Sequence, residues 1–117
     1  MKIAVVGSRD FCDRKYLEET VREYISRYIP TEFISGGAKG VDSWAEEVAV
    51  YNEIPTKIFK ADWDKLGKGA GFIRNKKIVE RADIIVAFWD GKSKGTQNSI
   101  AHAIKLDKPI DIYIRSC

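Results

Sequence analysis

The run Asp83-Ile-Ile-Val-Ala-Phe-Trp89 constrains this chain more than any other feature. Six consecutive apolar residues are too few for a helix of usual length, and they leave no polar face for solvent. Such a run is a strand covered on both sides, the mark of a parallel sheet sandwiched between helices. The flanking sequence agrees. Leu17, Val21, Tyr24, Ile25 and Tyr28 recur at helical spacing within a helix predicted over Arg14 to Tyr28, and Pro30 follows its end. Val41, Trp44, Ala45, Val48 and Ala49 form a second apolar stripe. Further helices are predicted over Ala70 to Arg81 and Thr96 to Leu106.

Between them lie strand signals at Lys2 to Val6, Thr31 to Ile34, 56–60 and Ile110 to Ile114, with residues 61–69 read as a loop. Strands alternating with helices define an α/β class: a single Rossmann-like domain over residues 1–117, five parallel strands in the order 3-2-1-4-5, helices on both faces. The length, 117 residues, suits one core.

In such a sheet, ligands sit beyond the C-terminal strand ends where the winding reverses, here between strands one and four. Three unusual loops fall at that edge. The first is Gly7-Ser8-Arg9-Asp10-Phe11; the second is Ser35-Gly-Gly-Ala-Lys-Gly-Val-Asp42; the third is Asp90-Gly-Lys-Ser-Lys-Gly-Thr96. Each leads into a helix N-terminus, whose free N–H groups and dipole attract an anion. Glycine lets backbone approach a phosphate closely. The candidate ligand-binding set is therefore Gly7, Ser8, Arg9, Ser35, Gly36, Gly37, Lys39, Gly40, Gly91, Gly95 and Thr96, with Thr96 also a candidate helix cap. Read as structure only, the same glycines are turn residues, and Arg9 pairs with Asp10 or Asp42.

Arg74 and Asn75 join the set. An arginine early in its helix can fork onto a phosphate, or form a surface ion pair, and Asn75 can cap or meet a base edge. Trp63 either stacks on a base or covers its loop, whereas Trp44 falls on a core stripe. His102 sits off the apolar face of its helix and reads as a satisfied or solvent-facing side chain.

Several functions are disfavoured. The chain has neither G-x-x-x-x-G-K-[ST] nor G-x-G-x-x-G, which argues against NTP hydrolysis and ordinary NAD chemistry. No Cys/His/Asp cluster has metal-ligand spacing, so neither a metal nor a cofactor is expected. A net charge of +3 suits an anionic ligand, but the basic residues are scattered, and nucleic acid is the weakest of the partner readings. No apolar stretch approaches a bilayer span, so no membrane partner is expected. Cys12 and Cys117 make no disulfide framework. With a strand beginning at Lys2 and no signal peptide, the expectation is a reducing cytoplasm, with a reactive Cys12 thiol the lesser reading.

The segments VVGSRDF, SGGAKGVDSWAEEVA, ADWDKLGKGAGFIRNKKIVERAD and VAFWDGKSKGT together resemble the SLOG superfamily, which unites DNA-processing SMF proteins with LOG phosphoribohydrolases. The most similar branch is the small YspA/YpsA-related one of bacteria and phages. The resemblance implies a nucleotide-like ligand and a homodimer. LOG enzymes cleave the N-glycosidic bond of nucleoside 5′-monophosphates with a PGGxGTxxE motif and a helix arginine. Arg74 matches that arginine and Gly95-Thr96 the GT, but the glutamate position falls on Ser99. A hydroxyl cannot stabilise an oxocarbenium-like transition state as a carboxylate does. Nucleoside deoxyribosyltransferases, which share a GT-containing helix start, also use a carboxylate there. The leading expectation is thus a binding or sensing module for a nucleotide-derived phosphate. An N-glycosidase using Asp42 or Asp90, with Arg74, is the alternative, and single-stranded nucleic-acid binding is the third reading.

Overall fold

The computed structural model describes residues 1–115. Five strands, β1 (Lys2–Gly7), β2 (Glu32–Ser35), β3 (Thr56–Ile58), β4 (Ile84–Trp89) and β5 (Ile110–Ile114), form one sheet in the order β3-β2-β1-β4-β5. Every neighbouring pair is parallel. The central pair, β1 and β4, aligns Ile3 with Ile84 and Gly7 with Phe88.

Alternation within the strands divides the core into two layers. Ile3, Val5, Phe33, Val86 and Phe88 pack under helices α1 (Arg14–Tyr28) and α2 (Val41–Tyr51). Ala4, Val6, Ile34, Ile85 and Ala87 point the other way, toward α4 (Ala70–Arg81) and α5 (Lys94–Lys105). The first half of the chain therefore winds outward along one face, and α4 carries it back across the other. That reversal separates the chain crossings at β1 and β4 and opens a crevice between their loops.

Helix α1 begins where the Asp13 carboxylate accepts the Tyr16 N–H at 3.1 Å and ends in a left-handed Ile29. Its three tyrosines pack in or against the first core layer. Tyr24 lies in the first core layer, stacks on Tyr28, and its hydroxyl meets Tyr113 and the carboxylate of Asp111. Burial and those two neighbours push the Tyr24 phenol well above its ordinary range.

Three boundaries differ from expectation by more than one residue. The segment 61–69 is not a plain loop. Asp62 accepts the Lys65 N–H at 3.2 Å, starting a one-turn helix α3 (Trp63–Leu66), and a 3₁₀ turn follows over Gly67–Gly69. Helix α5 starts two residues early, at Lys94, so its N-cap is Ser93 and Thr96 lies inside the first turn. Strand β3 stops at Ile58. Cys12 is not a free thiol, which removes the reactive-thiol reading, and Cys117 lies outside the described residues.

Candidate functional site

A cleft of about 570 Å³ lies at the C-terminal strand ends, between the β1 and β4 loops and under the start of α4. It is lined by Gly7, Ser8, Arg9, Asp42, Arg74, Asn75, Asp90, Gly95 and Thr96 of the candidate set. Ser35, Gly36, Gly37, Lys39, Gly40 and Gly91 do not line it.

The β1 loop is locked by its serine. Ser8 is buried; its N–H donates to the Phe88 carbonyl at 3.0 Å, continuing the ladder past the strand end. Its hydroxyl accepts the Asp90 N–H at 3.2 Å and lies 3.4 Å from the Thr96 hydroxyl. Gly7 is required beneath it, because a Cβ there would meet Val41 Cγ1 at 2.5 Å and the Phe88 carbonyl at 2.6 Å. Arg9 then projects outward. It is exposed, and among the described residues no ion pair within 4.0 Å involves it, so the pairing with Asp10 or Asp42 is not formed.

The β4 loop turns on Asp90. One carboxylate oxygen accepts the N–H groups of Lys92 at 2.9 Å and Ser93 at 2.8 Å. Those two bonds hold the Asp90 carboxyl below its usual range. The Trp89 indole N–H donates to the Ser93 carbonyl at 3.0 Å, which fixes the entry of α5. With the Ser93 N–H engaged, the N–H groups of Lys94, Gly95 and Thr96 remain without intrahelical partners at the end of a twelve-residue helix.

The second loop works differently. Gly36 and Gly40 are spacers against long-range partners. A Cβ on Gly36 would lie 2.7 Å from Arg74 Nη1 and 2.9 Å from Asp42 Oδ2, and one on Gly40 would lie 2.6 Å from the Arg9 carbonyl. Gly40 also holds a φ of 78°, where glycine alone is comfortable. Only Ala38 and Asp42 of this loop reach the cleft. Asp42 is 7% exposed, and its carboxylate accepts the Ala38 N–H at 3.1 Å. Sitting in the first turn of α2, it supplies that helix end with a negative charge of its own. Burial pushes the Asp42 carboxyl up to about 6, against the opposing pull of the Ala38 N–H and Arg74.

Arg74 is half-buried. Its Nη1 donates to the Gly36 carbonyl at 2.8 Å and its Nε to Asn75 Oδ1 at 3.0 Å, so it is not the surface ion pair considered above. Burial draws its proton affinity down, and Asp42 draws it back up. Asn75 is buried and donates through Nδ2 to the Gly95 carbonyl and Asn98 Oδ1, both at 3.2 Å, tying α4 to the start of α5. Ser99 lines the cleft, and its hydroxyl donates to the Gly95 carbonyl at 3.4 Å.

Sequence reasoning left out Lys68, Phe72, Lys92 and Ser93, which also line the cleft. Lys92 and Ser93 stood inside a loop already singled out; for Phe72, the adjacent Gly71 was the available signal. Trp63 lines the cleft, whereas Trp44 packs against the first core layer. Among the described residues no group of three His, Cys, Asp or Glu could hold a metal ion, and no helix is long and apolar enough to cross a membrane.

A doubly flanked parallel sheet with a polar cleft at its winding reversal, entered by the N-terminus of α5, defines a Rossmann-like α/β class of domain. The chain belongs to the YspA, cpYpsA-related SLOG family, whose model matches residues 1–66. It is 30% identical to the Gene 61 protein of Mycobacterium phage D29, with 93% of each chain covered. Among solved structures it is similar to DNA processing protein A from Helicobacter pylori, studied for its single-stranded DNA binding mode. There the TM-score is 0.76 at 22% identity, over 96% of this chain and 64% of that one. DNA processing protein A from Streptococcus pneumoniae also gives a TM-score of 0.76, at 20% identity, over 97% of this chain and 49% of that one. The chain thus spans from about half to just under two thirds of those proteins, and the likeness to them is one of fold.

Proposed function

We propose that the cleft binds a nucleotide or nucleotide-derived phosphate, and that the protein acts as a binding or sensing module. One observation carries this reading. The N–H groups of Gly95 and Thr96, which have no intrahelical partners, the Ser8–Thr96 hydroxyl pair and the Arg9 guanidinium, in no ion pair among the described residues, meet at one cleft. Helix N–H groups and hydroxyls recognise phosphate oxygens without titrating, and arginine forks onto two of them. Arg74, held at the cleft wall by Gly36 and Asn75, adds a fixed positive charge.

The ligand in this reading is a small molecule, and the whole chain works as one domain. The homodimer implied by the family resemblance is checked by sedimentation. Calorimetric titration with nucleoside 5′-monophosphates tests the reading. Arg9→Ala weakens binding about 10-fold or more, the loss expected for a charge-assisted contact, without lowering the melting temperature. Equal affinity in wild type and Arg9→Ala contradicts it.

A second reading, hydrolysis of an N-glycosidic bond, is favoured by Asp42 alone. A carboxyl near 6 that lines the cleft can hold a proton for a leaving base, a role that Ser99 at the usual carboxylate position cannot fill. Anomeric proton NMR of nucleoside 5′-monophosphates decides it. Free ribose 5-phosphate formed by the wild type and not by Asp42→Asn supports hydrolysis, and its absence in both leaves a binder. Binding of single-stranded DNA, as described for the H. pylori protein, requires a steep loss of affinity with salt.

A further inference from the structure

The cleft has a second half that phosphate binding does not use. Trp63, the first residue of α3, and Phe72, in the first turn of α4, both line it and are 55% and 50% exposed. Large rings left this open forgo the free energy that burial would return.

The indole is not loose. Its six-membered ring rests over Gly71, where a Cβ would come within 3.2 Å of Cη2 and 3.8 Å of Cζ2. Any side chain at 71 would displace it. The turn carrying Trp63 is pinned at its start by the Asp62 carboxylate and closed by the Gly67 N–H to the Trp63 carbonyl. Lys68, on the 3₁₀ turn, lines the same cleft.

The cleft carries two chemistries: hydroxyls, N–H groups and Arg9 on the strand-end side, and on the α3–α4 side two half-exposed rings beside Lys68 and Arg74. Its volume, about 570 Å³, is that of a single small-ligand site. Resting on the phosphate reading above, we infer that Trp63 and Phe72, with Gly71 between them, form a base-stacking subsite. The ligand is then a mononucleotide with one aromatic base, its phosphate at the start of α5. A bare sugar phosphate fills only half of the site.

The test compares ribose 5-phosphate, each of the four nucleoside 5′-monophosphates and an oligothymidylate on wild type, Trp63→Ala, Phe72→Ala and Trp63→Phe. At least one nucleotide should bind wild type about 10- to 100-fold tighter than ribose 5-phosphate, the margin one base–aromatic stack supplies. Trp63→Ala and Phe72→Ala should each cut that margin while leaving ribose 5-phosphate affinity unchanged, and Trp63→Phe should retain most of it. Ribose 5-phosphate and nucleotides binding equally, or a margin that survives both alanine variants, overturns the subsite and leaves the phosphate reading standing. No binding by any probe removes the phosphate reading itself, and the subsite with it. An oligothymidylate that binds tighter than every mononucleotide, with steep salt dependence, assigns the rings to a strand and overturns the mononucleotide.

Discussion

Asp42, in the first turn of α2, and Asp90, in the β4 loop, face one cleft, and their carboxyls are driven in opposite directions. Asp42 is walled in by Gly36, Ala38 and Arg74, and desolvation dominates. Asp90 stands near solvent and spends one oxygen on two backbone N–H groups. The lesson is that nearness to a cleft does not assign a role. Asp90 is a loop clamp that sets where α5 begins, whereas Asp42 is the group in this site poised to change charge near neutrality.

The two carboxyls also act on stability with opposite sign. Asp42 binds its proton more tightly in the folded chain, about 6 against an ordinary 3.8. Its contribution is therefore fully present below about 3.8 and lost as pH rises through about 6. Asp90, lowered, contributes above its ordinary value and loses that contribution as pH falls through the lowered one.

The harshest way to break the contrast is Arg74→Leu, which leaves Asp42 buried without its nearest positive charge. A loss of about 3 kcal/mol is expected at pH 7 in urea unfolding, shrinking toward pH 5 as the carboxyl takes up a proton. A loss independent of pH would mean that Arg74 acts only through its hydrogen bond to the Gly36 carbonyl. Gly40→Ala comes next. A Cβ 2.6 Å from the Arg9 carbonyl, added at a positive φ, should lower stability by about 2 kcal/mol. Asp42→Asn keeps an acceptor for the Ala38 N–H and removes the strained charge. It should gain about 1 kcal/mol at pH 7 and flatten the stability profile between pH 4 and 6. The smallest effect belongs to Asp90→Ala, a loss of about 1 kcal/mol or less from two freed, solvent-accessible N–H groups, with fraying of the first turn of α5 in hydrogen exchange. Unchanged protection at Gln97, whose N–H makes the first bond of α5 to the Ser93 carbonyl, would refute the clamp.

The fold was legible because its signals are local and mutually consistent. The unbroken β4 run demanded two covered faces, and α1 was bounded by its own periodicity and by Pro30. Short or side-chain-made features were not legible. Helix α3 is one turn held by Asp62, too brief for a periodic pattern. Helix α5 starts early because Asp90 folds the preceding backbone. In the site, the edge of the sheet and the β1 and β4 loops could be read from the glycines and Arg9. The second loop could not, since Gly36 and Gly40 answer to Arg74 and to the Arg9 backbone, contacts made only across the folded chain.

The most direct measurement of the central claim is a ¹H–¹⁵N titration of the protein with nucleoside 5′-monophosphates. The phosphate-cleft account predicts the largest amide shifts at Ser8, Arg9, Lys94, Gly95 and Thr96, with little change at Gly37, Lys39 and Gly91. Saturating shifts centred on Gly36 to Gly40 with the α5 start unmoved, or no shifts at millimolar nucleotide, would contradict it.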